Sequence, residues 1–119
     1  MLRTLAILFG IVFIIVGVLG FLPTFVINGK LFDLFQINFE HNILHLVSGV
    51  LALLCGLSSG FASKMFFIIF GVVYAFLAFL GFIQGEGMLF EMIAINPADN
   101  WFNAGVAALS LLIGFGLKY

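Results

Sequence analysis

Residues 31–42 read LFDLFQINFEHN, and 58 positions further on residues 89–100 read LFEMIAINPADN. The opening Leu-Phe, the Ile-Asn pair and the closing Asn recur in place, and Glu91 answers Asp33. A second echo, displaced by 61, sets ILFGIVFIIVGVLGF at 7–21 beside IIFGVVYAFLAFLGF at 68–82. Apolar helices match by chance, but Gly10/Gly71, Gly20/Gly81, Asn38/Asn96 and Asn42/Asn100 are not generic hydrophobic coincidences. Self-similarity at a fixed spacing marks a repeated structural unit. The chain therefore reads as one domain built from two units, about residues 1–58 and about residues 64–119.

What each unit contains follows from the charges. Of 119 residues, 65% are hydrophobic and 8% charged, with mean hydropathy +1.36. A soluble domain carries about 25% charged residues, and a disordered chain needs low hydrophobicity with high net charge; both classes are excluded. Four Lys+Arg against five Asp+Glu leave no basic footprint for nucleic acid. No Asp, Glu, Lys or Arg falls between Arg3 and Lys30, Glu40 and Lys64, Lys64 and Glu86, or Asp99 and Lys118. A helix crossing a bilayer needs about 20 mostly apolar residues, so each gap predicts one span, at about 5–22, 39–57, 65–83 and 97–117. The first apolar run is longer than the core of a secretory signal and lacks a small-residue cleavage site, so it is read as an uncleaved span.

The expected fold is an all-α membrane protein, a four-transmembrane-helix bundle of two parallel two-helix repeats. Two spans per repeat give the halves one orientation, unlike the inverted repeats of many alternating-access carriers. Arg3, Lys64 and Lys118 fall on one side, whereas Lys30 on the other is outnumbered by Asp33, Glu40, Glu86, Glu91 and Asp99. Positive-inside bias then predicts a multi-pass protein of the plasma membrane with both termini cytoplasmic. Asn42, His45, Gly49, Ala52 and Gly56, answered by Asn100, Asn103, Ala107, Ser110 and Gly114, form a small and polar stripe that lets helices approach closely. The outer linkers each carry an LF(D/E) segment that could form a short interfacial helix. Trp101 and Tyr119 are expected as interface anchors at opposite ends.

The unusual side chains gather at one depth. His41 and His45 begin the second span, Asp99 and Asn103 hold the equivalent places in the fourth, and residues four apart share a helix face. Two imidazoles and a facing carboxylate could bind a divalent transition metal, with Glu40 and Asn42 as outer partners. A structural reading stands beside it: Asn38 and Asn96 cap the two helices, Pro97 and Asp99 suit a first turn, and His45 hydrogen-bonds Asn103. Conduction of protons or ions is a third reading. Cys55 is expected as packing and Tyr74 as a hydrogen-bonding partner inside the bundle. No Ser-His-Asp, HExxH or CxxC pattern is present.

The run EHNILHLVSG at 40–49, with GVVY at 71–74, LGF at 80–82 and ADNWFN at 98–103, resembles the bacterial membrane family known as domain of unknown function 4383. The resemblance implies a four-helix membrane protein and no particular activity. It also implies a DNxxH element where this chain has Asn103, and asparagine is a poor ligand for transition metals. The leading expectation is a non-enzymatic, structural, partner- or small-ligand-binding bundle whose polar cluster, including Asn42, Asn100, Asn103 and Glu40, lies near the outer face. The alternatives are a metal-binding protein using His41, His45 and Asp99, and a small channel or carrier. The bilayer is the one expected partner that the sequence identifies, and the chain could be a monomer or small homo-oligomer.

Overall fold

A computed structural model describes residues 1–118; the proposed anchor Tyr119 lies outside the described residues. Four α-helices dominate: α1 (Leu2–Leu19), α2 (Phe39–Ser58), α3 (Gly60–Gln84) and α4 (Pro97–Gly116). Among them α1, α2 and α3 are long and apolar enough to cross a membrane. Between α1 and α2 run a 3-10 turn (Pro23–Phe25) and three short strands, β1 (Val26–Ile27), β2 (Lys30–Leu31) and β3 (Phe35–Gln36); between α3 and α4 run β4 (Gly87–Leu89) and β5 (Ile93–Ile95).

Helix ends depart from the charge-based bounds for local reasons. α1 begins before Arg3 because that side chain stays in the helix and reaches sideways, Nε donating to Gly56 O at 2.9 Å and Nη2 to Leu57 O at 2.9 Å. It stops short of Leu22, which precedes Pro23 and is extended at φ −95°, ψ 117°. The expected inner loop shrinks to a single residue. Ser59, extended at φ −163°, ends α2 and caps α3, its Oγ accepting from Ala62 N at 3.0 Å.

The outer linkers are not interfacial helices; each folds as an antiparallel hairpin, β2 on β3 and β4 on β5. Phe32 and Asp33 turn the first at φ 55° and 57°, Phe90 and Glu91 the second at φ 56° and 57°. Left-handed residues cannot continue a right-handed helix, and the preceding leucines alternate inward: Leu31 and Leu89 are buried while Phe32 and Phe90 are exposed. The LF(D/E) motif thus spells a strand and its turn.

Two kinds of packing hold the helices. α1 lies on α2, and α3 on α4, through glycines: a Cβ on Gly10 would sit 2.6 Å from Gly49 O, and one on Gly49 would sit 2.7 Å from Gly10 O. Small residues at these positions let the backbones of paired helices approach closely. The two pairs then meet through rings. Phe9 and Phe13 of α1 pack edge-on against Phe67 and Phe70 of α3, at 5.4 Å in both cases. Tyr74 is buried there, with its hydroxyl 3.2 Å from Ser48 Oγ, as expected of a hydrogen-bonding partner. The outward surface is apolar, with Ile69, Phe79, Leu112 and Phe115 exposed.

Candidate functional site

The polar cluster begins with two helix caps. Asn38 and Asn96 are extended, at φ −150° and −146°, and their Oδ1 atoms accept from His41 N and Asp99 N, each at 3.0 Å. Asp99 closes a capping box, its Oδ2 accepting from Asn96 N at 3.0 Å. Each cap also reaches across the molecule. Asn38 Nδ2 donates to Met92 O at 2.7 Å in the second hairpin, and Asn96 Nδ2 donates to Leu34 O at 2.9 Å in the first. Met92 follows Leu34, and Asn96 follows Asn38, by the same 58 residues. The arrangement is a reciprocal clasp in which each half's cap holds the other half's loop.

His41 and Asp99 extend it. His41 Nδ1 lies 2.7 Å from Ala94 O, so this nitrogen carries the proton and donates. Asp99, 58 residues after His41, faces the Gln36 main chain, which stands 58 residues before Ala94. Both side chains are buried, the imidazole donating to the Ala94 carbonyl and the Asp99 side chain accepting from the Asn96 amide. Asn100 Nδ2 serves a nearby end, donating to Gly81 O at 2.9 Å and Gly85 O at 2.8 Å. A Cβ at Gly81 would stand 2.0 Å from Asn100 Oδ1, and one at Gly20 2.0 Å from Asn42 Oδ1. The two asparagines are therefore seated against the glycine surface of the neighbouring helix.

His45 is different. It is 4% exposed, and neither ring nitrogen has a hydrogen-bond partner. The bond to Asn103 expected from the sequence is not formed, because Phe13 and Phe102 flank the imidazole, with ring centroids at 5.7 and 6.1 Å. The His41 ring lies 4.6 Å away. His45 and Asp99 also line one cavity of about 60 Å³, otherwise walled by Val16, Leu31, Phe35 and Phe102 among others. Among the described residues no three of His, Cys, Asp and Glu converge as a metal cluster. Glu40 stays exposed in the first turn of α2, Asn103 is buried in α4, and Trp101 packs on Phe82 at 5.0 Å.

At the opposite end lie two residues whose structural role the sequence reading missed. Lys64 Nζ donates to Gly114 O and, at 2.9 Å, to Leu117 O, closing the end of α4 much as Arg3 closes the end of α2. Arg3 and Lys64 are 61 apart, the displacement of the glycine-bearing echo. That signal was present, but the two cations carried meaning only for orientation.

The family model for a domain of unknown function, DUF4383, matches residues 3–116. No curated protein matches the chain, and no solved structure does.

Proposed function

We infer the role of this protein from one premise: the chain belongs to the DUF4383 family, for which no activity is established. The chain is a four-span integral membrane protein, α4 crossing beside α3, with its hairpins at the outer face and both termini cytoplasmic. Its polar cluster is structural: it locks two helix pairs and two hairpins into one rigid, non-enzymatic bundle that presents the hairpin face to a partner. The observation that carries this is the reciprocal pair of bonds, Asn38 to Met92 O and Asn96 to Leu34 O. A cap bond and a cross-molecule bond lost together should remove about 1–3 kcal/mol. Thermal melting in detergent tests it: Asn38→Ala and Asn96→Ala should each lower Tm clearly, and added chelator should change neither wild type nor variants. Unchanged melting of both variants would sink the clasp.

A second reading is favoured by His45. A buried imidazole with two unpartnered nitrogens beside a cavity suits a small ligand, with Asp99 also lining the cavity and His41 next along the helix. Elemental analysis of untagged protein, wild type against His41→Ala/His45→Ala, checks the metal form of this reading. Near-stoichiometric metal lost in the variant is its expected signature, and equal, negligible metal in both would overturn it.

A further inference from the structure

The end of the molecule away from the clasp carries a feature that the bundle does not use. A groove of about 330 Å³ opens there, lined by Arg3, Gly60 and Lys118 among others. Arg3 is anchored by its two carbonyl bonds, so its guanidinium is held in one orientation with its remaining N–H donors directed elsewhere. Lys118 is exposed beside the end of α4, and Gly60 opens α3, adding the positive end of a helix dipole. Lys64, holding Gly114 O and Leu117 O, adds a further positive charge at this end.

No carboxylate side chain offsets these charges. Among the described residues, Asp33 and Glu91 sit in the hairpin turns, Glu40 and Asp99 in the first turns of α2 and α4, and Glu86 between α3 and β4, all at the far end. A planar guanidinium fork pairs with phosphate oxygens bidentately, while an ammonium acts as a compact point charge. Basic pockets between spanning helices are suited to anionic lipid headgroups.

We propose that this groove binds a phosphate group through Arg3 and Lys118, on the premise of the bilayer-spanning arrangement above. The phosphate is supplied by an anionic phospholipid of the adjoining leaflet or by free phosphate. Lys118→Gln is the informative variant, because Lys118 is exposed and takes no part in capping a helix. In one arm, native mass spectrometry of detergent-released protein compares retained phosphatidylglycerol with phosphatidylcholine. In the other, melting is followed in sodium phosphate against sodium chloride at matched ionic strength.

Preferential retention of phosphatidylglycerol, weakened about fivefold by Lys118→Gln and untouched by Glu86→Gln, supports a lipid headgroup as the source. Stabilisation by inorganic phosphate that Lys118→Gln abolishes supports the same site with free phosphate as its ligand. Retention of both lipids that Lys118→Gln leaves unchanged, together with no Lys118-dependent effect of phosphate, overturns the proposal. Resistance of the chain to carbonate extraction from membranes reads the spanning arrangement by itself, so the two failures are separable.

Discussion

At the scale of single residues, the polar side chains divide by what they touch. His41, Asn38, Asn96 and the Asn100 amide nitrogen bond main-chain groups of other segments, whereas both His45 nitrogens, in an aromatic setting, are unpartnered, as are Asn42 Oδ1, Asn100 Oδ1 and Ser110 Oγ. An unpaired buried polar group carries a desolvation penalty that an apolar replacement of similar shape removes. His45→Leu is therefore expected to leave melting in detergent unchanged or raise it in ligand-free protein; a drop of several degrees would show that the imidazole makes a bond the bundle needs. Glycines give a sharper contrast. A Cβ at Gly20 would meet Asn42 Oδ1 at 2.0 Å, while one at Gly105 meets nothing within 4 Å. Gly20→Ala should destabilise, by about 1–3 kcal/mol for an overpacked site, and Gly105→Ala should stabilise, by up to about 1 kcal/mol for an exposed helix interior. Side-by-side melts of the two variants check the sign of each.

At the scale of elements, the helix ends decide how α1 to α4 are paired. The carbonyls ending α2 and α4 lack intrahelical partners, and Arg3 and Lys64 from the neighbouring helices supply them. Lys64→Ala is expected to fray the last turn of α4 with little effect on α2, and Arg3→Ala the reverse. Amide hydrogen exchange at 113–117 and at 54–58 reads the two effects separately. The hairpins also carry strain. Four non-glycine residues at φ between 55° and 57° occupy a region that bulky side chains enter rarely. Phe90→Asn with Glu91→Gly, residues suited to left-handed turns, should therefore stabilise the second hairpin, seen as slower exchange across β4 and β5.

At the scale of the whole molecule, charge is segregated between two ends that the proposed arrangement puts on opposite sides of a bilayer. In a Cys55→Ala background, Glu86→Cys and Lys118→Cys should label with an impermeant thiol reagent from opposite faces of intact cells, Glu86→Cys from outside. Labelling of both from one face would refute the four-span arrangement.

Much of this was legible in the sequence. The four charge-free gaps, each read as a span, located four helices, of which three are long and apolar enough to cross a membrane, because bilayer thickness fixes the length of an apolar helix. The paired Asn-x-x-His and Asn-x-x-Asp runs marked two caps, because capping is a contact over three residues. The residue types of the polar cluster were legible too, and so was the family. The hairpins were misread as helices because four apolar residues carry no period of their own; left-handed turns and the cross-molecule bonds to Leu34 and Met92 settled their form. The helical capping roles of Arg3 and Lys64, and the isolation of His45 between Phe13 and Phe102, join residues distant in sequence. Local pattern determines where a helix starts and which face is apolar, since those depend on neighbours within a turn or two. Which polar group is satisfied and which is left over depends on what the second half of the chain brings across, and only the tertiary structure decided that.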